Sequence, residues 1–308
     1  MIAVAGEALI DVIVDSGGRA HPRPGGGPVN TARTIARLGQ TAVFVGRLSG
    51  DRFGRLLRDR LAADGVRIAI ADPASEPTTL AVVHLGAAGV PEYSFYLTGT
   101  AAAEVDYSLL RAALADWPRA LHVGSLGLVA DPVGASLERL TAAAPEETLV
   151  MLDPNCRPEA ITSRQQYLRR LGRVIERADV VKASVEDLAY LSPGASPESA
   201  AAALLRAGPA LVLVSDGPRP ARAFTASDEV SVAVPAAEIA DTVGAGDALG
   251  GAFLSWWAAR QRTREDLRQA GEVQLAVRAA VEVAALTCAR SGAEPPWAAE
   301  LVGRPGWM

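Results

Sequence analysis

Lysine, cysteine and histidine are all scarce in this chain of 308 residues, which has 2 cysteines, 3 histidines and one lysine, Lys182, among 30 basic residues. Cys156 and Cys288 lie far apart without metal-ligand spacing, and His21, His84 and His122 are scattered. Neither a zinc site nor a histidine-based triad is legible, and both cysteines read as reduced packing residues. Aromatic residues make up only 5% of the chain. No amino-terminal apolar run has the length or flanks of a signal peptide, and Arg and Glu interrupt the alanine-rich stretches before they reach bilayer-spanning length. The expectation is a cytoplasmic protein without a membrane partner. A net charge of −5 and a pI near 5.4, with the basic residues dispersed, argue against nucleic acid as a partner. Any anionic substrate must be held by a local site. The excess of arginine over lysine is a compositional bias, and the role of Lys182 stays open at this point.

What is present is a 49% hydrophobic chain, enough for one large α/β domain or two small ones. "IAVAGEALIDVIV" opens as a buried strand, breaks at Gly6 and resumes, with Asp11 inside an apolar context. "RPGGGPVNTARTIARLGQ" reads as a glycine turn followed by a helix closed by Gly39. From about residue 66 to 98 short strands take over, and "EYSFYL" alternates Tyr93, Phe95 and Leu97 against Ser94 and Tyr96. Beyond them strand and helix alternate, which implies a mostly parallel sheet covered by helices on both faces. The reading is one doubly wound α/β domain over residues 1–308, with a small β appendage from near 8–20 and 66–98.

"EIADTVGAGDALGGAFL" places three carboxylates, Glu238, Asp241 and Asp247, and four glycines at the head of an apolar helix. A dinucleotide fingerprint would need a third glycine where Leu249 stands and an earlier place in the chain, and no G-x-x-x-x-G-K-[ST] loop exists. Close helix packing accounts for Gly250 and Gly251 but leaves Gly244, Gly246 and Asp247 unexplained. Glycines at a helix start let an anion approach unpaired backbone N–H groups at the positive end of the dipole. A carboxylate in the same turn, Asp247, can accept a proton from an attacking hydroxyl. Asp241, three residues before Gly244, either caps the turn or orients a cation.

"DTVGAGD" resembles the carboxy-terminal signature of the ribokinase-like (PfkB-type) carbohydrate kinases, and "GGGPVNTARTIARLG" with "VGRLSGDRFG" resembles their amino-terminal one. The resemblance covers essentially the whole chain and implies a parallel α/β core with a β lid. It makes Asp247 the base toward a sugar hydroxyl and the N–H groups of Gly244, Ala245 and Gly246 the anion hole. It puts Asp11, Gly25, Gly26 and Asn30 where sugar hydroxyls bind, a fitting set of directional acceptors and side-chain-free backbone. "VKASVEDL" is similar to the strand-end motif that organises magnesium and phosphate, with Ser184 and Asp187 where Asn and Glu are usual, and Lys182 then neighbours the nucleotide phosphates. Asp187 is thereby an indirect magnesium candidate, and Asp241 falls in a region implied for a monovalent cation such as potassium. "VSDG" brings Ser215 and Gly217 toward ATP, with Pro220 replacing a common glycine and so reshaping that loop. "CARSGAEPP" makes Cys288 and Gly292 candidates for the adenine pocket.

Within the family, "GEALID", "LHVGSLGLV" and "DPNCRP" look most like the fructokinase and 2-keto-3-deoxygluconate kinase branch. Asp153, Asn155 and Arg157 would place a guanidinium near phosphate or an acid sugar, while Leu97, at a position often basic in keto-acid kinases, favours a neutral one. The implied function is an ATP- and Mg2+-dependent sugar kinase acting on a ketohexose such as fructose. Ketodeoxygluconate, ribose and nucleosides are the alternative acceptors, and a non-catalytic sugar or nucleotide sensor is the alternative from another class. A homodimer through the β lid would suit the alternating strands.

Overall fold

Runs of four or five apolar residues buried on both faces, such as IAVA, AVFV and LVMLD, need helices above and below them, and the chain supplies both layers. The computed structural model describes residues 1–15, 17–85 and 91–307. In chain order its strands begin with β1 (Ile2–Ala5), β2 (Leu9–Val14), β3 (Ala20–Gly25), β4 (Ala42–Val45), β5 (Arg67–Ile68), β6 (Thr79–Leu85) and β7 (Pro91–Tyr96). They continue with β8 (Ala120–Gly124), β9 (Leu149–Asp153), β10 (Val180–Ser184), β11 (Leu211–Asp216), β12 (Arg219–Phe224) and β13 (Glu229–Val232). The helices are α1 (Gly27–Arg37), α2 (Arg52–Ala63), α3 (Tyr107–Ala113), α4 (Val133–Ala143), α5 (Arg164–Arg177), α6 (Val185–Leu191), α7 (Pro197–Ala207), α8 (Ala245–Ala259) and α9 (Ala270–Cys288).

The large sheet has the order β13-β12-β11-β10-β9-β8-β1-β4-β5. It is parallel from β5 to β11, and β12 and β13 complete one edge antiparallel. Alternation along each strand divides the core. Ile2, Val4, Met151 and Val180 join α1, α2, α8 and α9 on one face. Ala3, Ala5, Leu152 and Val181 join α3, α4, α5, α6 and α7 on the other. The doubly wound reading is therefore the observed fold.

A second, four-stranded sheet has the order β3-β2-β6-β7, with β2 and β6 parallel and the outer pairs antiparallel. The boundaries expected for this appendage need correction in two places. "RIAIA" is not part of it, because Arg67–Ile68 pairs with β4 at the edge of the large sheet. Ala20–Gly25, of which Arg23–Gly25 were read as the start of a glycine turn, is its outer strand, since Pro22 and Pro24 lie on an edge where a missing N–H costs no ladder bond. Ser16 and residues 86–90 of the expected span lie outside the described residues. Leu9, Ala81, Phe95 and Leu97 turn one face of the small sheet toward Leu126 of the core, while Tyr93 and Tyr96 remain 42% and 59% exposed on it. Among the described residues no helix is long and apolar enough to cross a membrane.

Helix α8 is buried on nearly every side from Ala248 to Trp257, packed between α9 and α1. A Cβ on Gly251 would stand 2.9 Å from Thr34 Cβ and 3.0 Å from the Thr31 carbonyl oxygen, whereas one on Gly250 would meet only the mobile Met151 methyl at 3.4 Å. The two glycines thus differ in kind. Gly251→Val should lower stability by about 1–3 kcal/mol through overpacking against α1. Gly250→Ala should be neutral or stabilising by up to about 1 kcal/mol through helix propensity. Urea denaturation of both variants checks this, and equal losses would remove the distinction.

Candidate active site

Parallel strands deliver all their carboxyl ends to one edge of the sheet, and ligands of open α/β sheets bind there. On that edge Glu7 follows β1, Ser125 follows β8, Asn155 follows β9 and Ser184 closes β10. The backbone marks the place: among the described residues only Ser125 (φ 56°), Asn155 (φ 39°) and Gln261 combine a side chain with positive φ. Two of these three are neighbours, with Asn155 Nδ2 donating to Ser125 Oγ at 3.3 Å. Such conformations cost on the order of 1–3 kcal/mol each and persist where the surroundings impose them.

Asp247 lies in the first turn of α8. A Cβ placed on Gly27 would stand 3.2 Å from Asp247 Oδ1, 3.3 Å from Asn155 Nδ2 and 3.3 Å from Ser125 Oγ, so three chain segments converge on the start of α1. Asn30, buried in the first turn of α1, donates from Nδ2 to Asp247 Oδ2 at 2.9 Å, and its own Oδ1 has no protein partner. Helix α8 starts at Gly244 in the left-handed conformation (φ 78°) with no side chain capping it; the Ala245 amide donates to the Thr242 carbonyl at 3.3 Å. Ala293 packs behind: a Cβ on Gly244 would be 2.5 Å from that of Ala293.

The lid contributes Asp11 from β2. Its carboxylate rests against the backbone of Gly25 on β3, where any side chain would collide with it, and Gly26 is the buried residue preceding α1. Arg157 donates from Nη1 to the Cys156 carbonyl at 3.0 Å and acts electrostatically on Asp11 and Asp247. Lys182, 4% exposed, donates from Nζ to Asp153 Oδ2 at 2.8 Å. Asp11, Gly25, Gly26, Asn30, Arg157, Lys182 and Gly244–Asp247 are thus gathered around one cleft.

The remaining expected residues have other attachments. Ser184 and Asp187 form the capping box of α6, in which Ser184 Oγ accepts from the Asp187 amide and Asp187 Oδ2 from the Ser184 amide; Asp187 Oδ1 accepts from the Cys156 amide at 2.7 Å. Both oxygens of Asp187 are occupied, so it braces the loop after β9. Ser215 sits opposite Ser184 in the ladder, and exposed Gly217 lies in the tight turn that joins β11 to β12. Asp241 accepts from the Val243 amide at 3.0 Å and the Gly292 amide at 2.9 Å, tying the loop before α8 to the one after α9. Half-buried Cys288 ends α9, and its carbonyl accepts from the amides of Ala240 and Asp241.

Four further residues shape the site without having been singled out in the sequence. Glu7 accepts from the Gly127 amide at 2.8 Å and so fixes the turn that presents Ser125. Ser125 itself stands in the "GSLG" of LHVGSLGLV, a stretch that marks the branch without marking the residue. Arg33 and Arg37 of α1 share buried Asp64 at 2.5 and 2.9 Å and hold the Ala293 and Pro295 carbonyls at 2.6 Å each, with Glu294 between them. An arginine repeated at helical spacing, i and i+4, is the only trace that pattern leaves in the sequence.

Crowded carboxyls shape the electrostatics. Burial lifts Asp11 to about 6, with Asp247 adding to the rise and Arg157 opposing it, and burial lifts Asp153 to about 6 against the pull of Lys182. Burial also raises Asp247, restrained by the Asn30 hydrogen bond and the charges of Lys182 and Arg157. Glu7 is pushed from 4.5 to about 7, chiefly by burial. Folded Glu7 therefore keeps a proton that the unfolded chain releases near 4.5, so its contribution to stability is complete below that value and is lost as pH rises through about 7. Glu7→Gln should flatten the decline in stability between about pH 5 and 8, by an amount on the order of 2–3 kcal/mol. Denaturation midpoints at a series of pH values test this; parallel curves for variant and parent would refute it.

Comparison with known proteins agrees with this geometry. The pfkB family carbohydrate kinase profile matches residues 1–300. A fructokinase of Rhizobium leguminosarum bv. trifolii is 33% identical over 260 residues, covering 83% of this chain and 79% of its own. Fructokinase-1 of Oryza sativa subsp. japonica is 31% identical over 305 residues, covering 96% and 94%. Among solved structures, fructokinase with bound ATP from Xylella fastidiosa superposes with a TM-score of 0.88 at 27% identity, over 98% of this chain and 96% of its own. Fructokinase from Vibrio cholerae O395, in a form with bound fructose, ADP and calcium ion, gives 0.82 at 29% identity, over 95% and 94%.

Proposed function

The chain belongs to the pfkB family of carbohydrate kinases, and from that premise we propose that it transfers the γ-phosphoryl group of ATP to a hydroxyl of fructose. The observation that carries the reading is Asp247, a carboxylate in the first turn of a helix whose start is uncapped, held by Asn30 at 2.9 Å. Phosphate oxygens accept hydrogen bonds, and the amides of Gly244, Ala245 and Gly246 with the positive end of α8 supply donors for them. Sugar hydroxyls donate, and Asp11, Asn30 Oδ1 and Asp247 supply acceptors on the lid side of the same helix start. The acceptor hydroxyl lies between Asp247 and the phosphorus. Its oxygen forms the new P–O bond while the bond to the ADP oxygen breaks, and its proton passes to Asp247. Because the transition state is loose, most of the acceleration comes from alignment and from charge at the anion hole.

Magnesium fits as a passenger of the nucleotide. Among the described residues no group of three metal-ligating side chains exists, and Asp187 has both oxygens engaged. Carried on the triphosphate, the ion would neutralise charge on the β- and γ-phosphates. A potassium-type ion in the region of Asp241, an adenine pocket near Cys288 and Gly292, a cytoplasmic location, and a homodimer covering Tyr93 and Tyr96 of the lid complete the proposal.

A panel of fructose, ketodeoxygluconate, ribose and adenosine with Mg-ATP, read as ADP release, tests the reading. Fructose should give the highest kcat/KM, and silence with every sugar from folded protein would end the kinase proposal. Asp247→Ala should lower kcat by about 10²–10⁴-fold, the range of a general base. Its affinity for ATP, measured by calorimetry, should change little.

A further inference from the structure

Every basic residue of this chain but one is arginine, and the exception is buried beneath the start of α8. A Cβ on Gly246 would stand 2.7 Å from Lys182 Nζ, so the ammonium occupies room that exists because residue 246 has no side chain. From there it donates to Asp153 Oδ2 at 2.8 Å, while Asp153 Oδ1 has no partner. Lys182, Asp153 and His122 share the sheet face that α1 and α8 cover, and both ring nitrogens of His122 are without partners. The imidazole beside Lys182 is held neutral, pushed down to about 3 by burial and then by the neighbouring ammonium. Burial acts against the ammonium too, but the carboxylates of Asp153, Asp187 and Asp247 outweigh it and raise Lys182 above its ordinary value.

We infer that Lys182 is a positioning residue for phosphoryl transfer, a permanent positive charge seated under both the phosphate seat and the Asp247 carboxylate. A compact ammonium fits between Gly246 and Asp153, where the wide planar fork of a guanidinium does not. That explains why a chain otherwise committed to arginine keeps lysine here. The charge serves two groups at once. It favours the ionised form of Asp247, which must be free to take the hydroxyl proton, and it reinforces the α8 amides toward phosphate. The other groups facing Asp247 are Asn30 from α1, Asp11 from the lid, Glu7 after β1, and Asp153 and Arg157 at the end of β9. Of these only Arg157 adds positive charge.

The inference rests on the sugar-kinase reading, and its test separates the two. If wild-type protein phosphorylates no sugar, that reading fails; the variants below are compared only with an active parent. In the pH profile of kcat/KM, Lys182→Met should move the acid limb upward by about one unit, as expected when an opposite charge a few ångströms away is removed. Asp153→Asn, which removes a negative neighbour, should move it downward. A scaffold role would lower kcat in both variants without opposed shifts, and that outcome overturns the inference. If Lys182→Met fails to fold, the single lysine offers a direct measurement. Selective 15N-lysine labelling gives one side-chain resonance, which should report a charged ammonium from pH 6 to 9 and move when Asp247→Asn is introduced. A neutral amine, or a resonance unmoved by that substitution, overturns it equally.

Discussion

Helix α1 meets helix α8 at Gly251, and the absence of a side chain there brings the two helix starts within reach of each other. Asn30 can then donate to Asp247 at 2.9 Å, and the Thr31 hydroxyl to the Asp247 carbonyl at 3.4 Å. Everything the site does depends on this approach. The lid strand β3 runs directly into α1 through Gly25 and Gly26, so the residues proposed to face the sugar are positioned by the same helix that holds Asp247. The α8 amides, for their part, cannot be aimed at a phosphate while α8 is free to rotate. Packing density, rather than any single hydrogen bond, supplies the precision.

A buried ionic cluster extends the same constraint to the far side of the α8 start. Arg33 and Arg37 project from α1, share Asp64 at the end of α2, and grip the carbonyls of Ala293 and Pro295. Glu294 completes the cluster, with Arg60 of α2 also paired to it. Ala293 in turn lies against Gly244. Replacing such a cluster by apolar residues is often neutral for stability, so its value lies in specifying one arrangement of a loop that apolar contacts would leave adjustable. The arginines thus act on the start of α8 through the backbone they hold.

Periodicity and turn chemistry made the architecture readable: apolar strands alternating with helices gave the doubly wound sheet, and the glycine-rich stretch marked the uncapped start of α8 with Asp247 in its first turn. The lid was read less well because its outer strand, AHPRPG, has neither alternation nor β-branched residues and is defined only by pairing with β2. Conversely, RIAIA has the composition of a strand without revealing which sheet it joins. Glu7 and Ser125, although inside the GEALID and LHVGSLGLV stretches, were not singled out for a different reason. Their importance arises from where β1 and β8 end side by side, 118 residues apart in the chain, and no local pattern records that neighbourhood. Asp187 was visible as a carboxylate of the right spacing, but its engagement with two backbone amides is a property of the fold.

The site also resolves a charge conflict that its composition poses. Glu7, Asp11, Asp153 and Asp247 crowd one cleft, and a triphosphate brought among them would be repelled. The geometry separates the two demands. Glu7 and Asp11 are raised to about 7 and about 6, so near neutrality the local negative charge is smaller than a count of carboxyls suggests. The acceptors lie toward the lid, where hydroxyls would meet them, and the donors lie at the α8 start, where phosphate would. Asp247 stands on the boundary between these regions, and the proposed transfer would require a group there that accepts a proton from one side while facing phosphorus on the other. Its first-turn position in α8 satisfies both conditions with one residue, because the helix that exposes the amides also carries the carboxylate.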